Sequence, residues 1–168
     1  ALNLNNLAST YDELAQYEKA LPLKQRALAI NEKTLGPEHP NTARILSNLA
    51  HTYGELAQYE KALPLKQRAL AIHEKALGPE HPDTASSLSN LAMTYIDVAQ
   101  YDKALPLEQR ALAIREKTLG PEHPDTALGL NNLAGTFGKL TQHEKALPLE
   151  QRALAIYEKA LGPDHPKT

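Results

Sequence analysis

Apolar residues at Ala1, Leu4, Leu7, Ala8, Tyr11 and Leu14 trace one face of a helix. A second stripe, Tyr17, Ala20, Leu21, Ala27, Leu28, Ile30 and Leu35, predicts another helix from about Tyr17 to Leu35. The break between them falls at Ala15 and Gln16, with no Gly, Asn or Asp to mark it. Both stripes then return every 42 residues, four times over. The second copy carries the first helix whole, over Pro40 to Leu56, with Asn41 and Thr42 behind the proline as acceptors for its open N–H groups. The first copy begins without that opening turn, so the chain reads as part of a longer array. Each copy is a helical hairpin, and short connections make neighbouring helices antiparallel.

One phrase separates the hairpins. Leu-Gly-Pro-Glu-His-Pro spans Leu35 to Pro40, Leu77 to Pro82 and Leu119 to Pro124, and returns from Leu161 to Pro166 with Asp164 for Glu. Gly before Pro ends a helix, because Gly takes left-handed backbone at little cost and Pro cannot extend the ladder. The second Pro opens the next helix, where its missing N–H would be unpaired anyway. A hairpin of this size encloses too little core alone, so the copies must stack. The organisation expected is a single repeat domain over 1–168, with repeats at 1–42, 43–84, 85–126 and 127–168. Pro22, Pro64, Pro106 and Pro148 lie about one turn inside the second helix. Either that helix starts late enough to hold them in its first turn, or they kink it.

Composition and charge narrow the function. The formal net charge is −2, with 18 basic and 20 acidic residues mixed along the chain, which leaves no footprint for nucleic acid or anionic membrane. The absence of cysteine removes disulfides, thiol nucleophiles and thiolate metal sites, and accords with a cytoplasmic location. No run reaches the roughly 18 apolar residues of a membrane span, and neither end reads as a signal peptide. His39, His81, His123 and His165 recur beside carboxylates. Equivalent positions in stacked hairpins lie on the order of 10 Å apart, whereas zinc ligands sit about 2 Å from the ion. Each is expected instead to cap the helix that the next Pro opens. His51, His73 and His143 form no pair at helical spacing. With no phosphate loop, nucleophile elbow or paired-acid motif, the expectation is no enzyme, no metal and no cofactor.

The residues Leu4, Leu7, Ala8, Tyr11, Tyr17, Ala20 and Ala27 resemble the hydrophobic framework of the tetratricopeptide repeat, with Phe137 and His143 replacing Tyr in the fourth copy. The period of 42 exceeds the 34 of that motif. The longer form, with Asn-Asn-Leu-Ala, Arg-Ala-Leu-Ala-Ile and Leu-Gly-Pro-Glu-His-Pro, is similar to the repeats of kinesin light chains and related sensor proteins. The resemblance implies an all-α fold, a right-handed superhelical solenoid of antiparallel helical hairpins, whose first helices line a concave face that binds peptides. One position departs from the family. Position 24, often large and apolar there, is Lys24, Lys66, Glu108 and Glu150 here. A long side chain at that place is expected to lay its stem on apolar surface and keep its charge in water.

The four copies also serve as their own comparison. They differ most at positions two, three, nine, twelve and thirteen, which include Arg44, His51, Met93 and Asp97, on one flank of the first helix. Asn6, Asn48, Asn90 and Asn132 are the same in every copy on that flank. Two readings of the amides stand: a row that donates to and accepts from a peptide backbone, or side chains that each bond a neighbouring helix. The candidate peptide-binding set is Asn6, Asn48, Asn90, Asn132, Arg44, His51, Met93 and Asp97. Chaperone-cofactor repeats hold a terminal carboxylate with paired bases, but Arg44 is the only base among the corresponding positions here. The acidic Asp12, Glu13, Glu55 and Asp97 likewise argue against the acidic peptides that kinesin light chains take. The partner expected is a protein or peptide, with neither nucleic acid nor membrane. The alternative is a structural spacer, an engineered or recently duplicated array without its own ligand. Leu147, Leu154, Ile156 and Leu161 on the last helix await a covering helix, so head-to-tail self-association is a further expectation.

Overall fold

The computed structural model describes residues 1–162, 165 and 166. These form eight helices: α1 Leu2–Glu13, α2 Tyr17–Thr34, α3 Pro40–Glu55, α4 Tyr59–Leu77, α5 Pro82–Asp97, α6 Tyr101–Leu119, α7 Pro124–Lys139 and α8 His143–Leu161. The chain is all-α, with no strand among the described residues. Pro163 and Asp164 of the fourth Gly-Pro mark lie outside them. Two compact units divide the chain, Ala1–Pro79 and Glu80–Thr168. In the first, α1 packs on α2, α2 on α3 and α3 on α4. In the second, α5 packs on α6, α6 on α7 and α7 on α8, and α5 touches α7.

Small residues set how closely these helices approach. Position 8 of the copies (Ala8, Ala50, Ala92, Ala134), position 20 (Ala20, Ala62, Ala104, Ala146) and position 27 (Ala27, Ala69, Ala111, Ala153) are all alanine and sealed from solvent. A methyl at the contact brings helix axes toward the short end of the usual range of about 8–10 Å. Leucines fill the remaining space: Leu46, Leu88 and Leu130 are fully buried, and Leu49, Leu91 and Leu133 nearly so. Each contributes about 1.5–3 kcal/mol by leaving water. In the second unit Leu130 and Leu133 join Leu112, Phe137, Ile156 and Tyr157 in one core. Ile156 therefore points inward, whereas Leu147, Leu154 and Leu161 of the same helix stay exposed.

The turns explain where the helices stop. Ala15, Ala57, Ala99 and Thr141 hold φ between 53° and 59°, a left-handed conformation that costs a residue with a Cβ about 1–2 kcal/mol. The reversed chain is tied by Ala15 N donating to the Asp12 carbonyl and Gln16 N to that of Tyr11, each at 2.8 Å. Gly78 and Gly120 end α4 and α6 at φ 99°, ψ 158° and φ 94°, ψ 159°. That is not the left-handed helical region but an extended one at positive φ, which essentially only glycine enters. The histidine caps are present: Nδ1 of His39, His81 and His123 accepts from the backbone N–H two residues on, each at 3.1 Å. Thr42 and Thr126 then donate to the carbonyls of Gly36 and Gly120 at 2.9 and 2.8 Å, locking the turn to the helix it precedes.

Pro22 is the sixth residue of α2, so a late helix start does not accommodate it. The helix runs on through it, and the Glu18 carbonyl forgoes its usual donor. Glu18 is exposed and Pro22 is exposed beside it, which leaves water to serve that oxygen. Outer ion pairs join successive hairpins, Arg68 to Glu32 at 2.7 Å and Lys75 to Glu38 in the first unit, Arg152 to Glu116 at 2.6 Å and Lys159 to Glu122 in the second. Being solvated, they contribute little.

Candidate functional site

In the first unit the candidate residues fall on α1 and α3. Asn6 is exposed, and its carbonyl accepts from the Thr10 hydroxyl at 3.3 Å. Asn48 is half-buried, and its amide donates to the Asn5 carboxamide of α1 at 3.0 Å. That is the neighbouring-helix bond, realised at this amide. Arg44 is exposed at the mouth of a small cavity shared with Asn31, Asn41 and Ile45. His51 is exposed, with Nε2 3.6 Å from a carboxylate oxygen of Glu55. The other oxygen of Glu55 accepts from the Tyr17 hydroxyl at 3.1 Å, and that bond pushes the Tyr17 phenol above its ordinary value.

In the second unit the set lies on α5 and α7. Met93 is 52% exposed, although Ser89, Leu91, Ala92 and Thr94 around it are buried. Asn90 is exposed one turn before it, and Asp97, also exposed, closes α5. Asn132 on α7 is half-buried, its carbonyl accepting from Thr136 at 3.2 Å. Gly135 and Gly138 leave α7 bare at positions nine and twelve, beside an open pocket of about 410 Å³ bordered by His143, Glu144 and Glu150.

Beneath these surfaces lies chemistry that the sequence pattern placed in water. Lys24 is 1% exposed. Its ammonium donates to the Thr52 hydroxyl at 2.6 Å, to the Asn48 carbonyl at 2.9 Å and to the Asp12 carboxylate. Asp12 is thereby consumed in the interior and is not a free groove acid, and it also accepts from Thr52 at 3.0 Å. Glu108 is likewise 1% exposed and accepts from the Ser89 hydroxyl at 3.1 Å. Arg115 donates to the same hydroxyl at 3.1 Å. Burial pushes the Glu108 carboxyl up to about 7, against the opposing pull of Ser89 and Arg115. Burial also pulls the Arg115 guanidinium down, opposed by Glu108 and Asp125. Snorkelling fails at Lys24 and Glu108 because the following hairpin covers them. Glu150 at the same position of the last copy is exposed, as the snorkelling argument expected.

Among the described residues, no group of three or more His, Asp or Glu side chains could hold a metal ion. No helix among them is long and apolar enough to cross a membrane.

A sequence model described as the tetratricopeptide repeat matches the chain over residues 1–75, 45–117 and 99–159. No curated protein matches it. Among solved structures, the chain is similar to the nearly identical TPR-like repeats of a Podosopora anserina protein assigned as a kinesin light chain. Two crystal structures of that protein, one of them a single-residue variant, superpose with a TM-score of 0.86 at 32% identity, over 98% of this chain and 78% of that one. BtubC (BKLC) from P. vanneervenii is similar at 28% identity with a TM-score of 0.85, over 97% of this chain and 65% of that one.

Proposed function

The chain belongs to the tetratricopeptide repeat family, and from that premise we propose that it is a protein-interaction scaffold that takes a peptide on the face lined by its first helices. The observation that carries the reading is Met93, an adaptable apolar side chain left 52% exposed on a helix whose neighbouring residues are buried. Asn90 lies one turn away and Asp97 one turn beyond. Fixed amides suit contacts to a peptide backbone that are indifferent to sequence. Variable neighbours suit selection among side chains, and Met fits several. In the first unit Arg44 and His51 would perform that selection beside Asn6 and Asn48.

The spacer reading draws support from Asn48, whose amide is already engaged by Asn5. A peptide array screened against the purified chain, followed by titration of its best binder, separates the two. Asn90→Ala should weaken every binder by about 1 kcal/mol, the net size of a hydrogen bond. Met93→Ala should instead reorder their ranking. Binding unchanged in both variants, with thermal melts like wild type, would move the working surface off this face, and an array without binders would favour the spacer.

A further inference from the structure

Copies this alike pose a folding problem, since a second helix could stack on the first helix of any other copy unless the junctions differ. The junction held within each unit, α2 with α3 and α6 with α7, differs at buried positions. In the first, Lys24 reaches across to the Asn48 carbonyl and the Thr52 hydroxyl, but every copy has those two residues at their positions, so the difference lies elsewhere. Position 31 there is Asn31, which borders a cavity of about 220 Å³ together with Ile45 of the next copy. In the second, position 31 is Arg115, the only arginine at that position, which faces Gly129 of the next copy.

Arg115 in turn needs room, and Gly129 supplies it. A Cβ added at Gly129 would stand 3.2 Å from Arg115 Nη1 and 3.3 Å from Leu112 Cδ1. Glycine inside a helix is unfavourable without such a reason. Size is thus matched across each junction, a small Asn31 against Ile45 and a large Arg115 against Gly129.

We propose that positions 31 and 3, a small Asn31 with Ile45 in the first junction and a large Arg115 with Gly129 in the second, make the two junctions non-interchangeable, an address for which second helix stacks on which first helix.

The test imports into each junction the residue native to the other. Gly129→Ile should raise the unfolded-to-folded ratio about tenfold to hundredfold, the scale of overpacking. Arg115→Asn with Gly129→Ile, which copies the Asn31–Ile45 combination, should recover most of that loss. Reciprocally, Ile45→Gly should destabilise, and Asn31→Arg with Ile45→Gly should recover, each read by urea denaturation of the full chain. Double variants no more stable than the product of their singles overturn the proposal. If Gly129→Ile alone does not fold, a folded double variant is itself the recovery, and an unfolded double variant overturns the proposal equally.

Discussion

Replacing Glu108 by glutamine should make this protein more stable at alkaline pH while changing little in acid. The carboxyl is 1% exposed, and burial raises it to about 7 from an ordinary 4.5. Between those two values the folded chain keeps a proton that the unfolded chain has released. Stability from this group is therefore complete below about pH 4.5, falls as pH rises through 7, and stays low above it. The gap of about 2.5 units corresponds to about 3 kcal/mol. That figure already includes the Ser89 hydrogen bond and the attraction of Arg115. Glutamine has the same shape, still accepts from Ser89 and cannot ionise. Urea unfolding followed by helical circular dichroism, at about pH 5 to 8.5 on both proteins, gives the quantity that matters, the variant's stability minus that of wild type. Ionisable groups common to both proteins cancel in the difference. It should be about 1 kcal/mol at about pH 5, where the unfolded carboxyl has already begun to ionise, and rise to about 3 kcal/mol by about pH 8.5, in line with buried charges that neutral residues replace without loss. A difference that stays flat with pH, or wild type becoming the more stable in alkali, would mean that Arg115 compensates the carboxylate fully and that the burial argument is wrong.

Two further outcomes follow from the same geometry. Lys24→Met should cost about 3 kcal/mol by stranding Asp12 beside Thr52, whereas Glu150→Met at the equivalent exposed position should stay within about 0.5 kcal/mol; equal losses in denaturant titrations would refute the buried pairing. Thr141→Gly should raise stability by about 0.5–1 kcal/mol, because it frees a β-branched residue from φ 59°, and a thermal midpoint at or below wild type would count against strain at that turn.

What was legible in the sequence and what was not divides by distance along the chain. The apolar stripes, the Gly-Pro stop and the His39 cap are local, each fixed by residues within a turn or two, and the structure holds them where the pattern put them. The break at Ala15 was legible only as a gap, because alanine carries no preference for the left-handed backbone it adopts there; the surrounding packing imposes it. Lys24 could not be read at all from its neighbours. Its partners Asp12 and Thr52 lie 12 and 28 residues away, and only stacking brings them together. Comparison among the copies held the missing signal, since Asp12 is the single acid at its position and Arg115 the single arginine at its own. The candidate groove is legible as variation on one flank, while its chemistry depends on which of those side chains the interior claims, as it claims Asp12.

That division bears on how such an array can acquire a function. Alanines at positions 8, 20 and 27 carry the close helix contacts in every copy, so changes at positions 2, 9 and 13 leave stacking intact and are open to selection by a ligand. Position 12 is different, because the same place is Asp12 in a buried ion pair and Gly138 beside an open pocket. A substitution there acts on the fold in one copy and on the surface in another. Equivalent positions in a repeat are therefore not equivalent sites, and each residue's role follows from what the next hairpin covers.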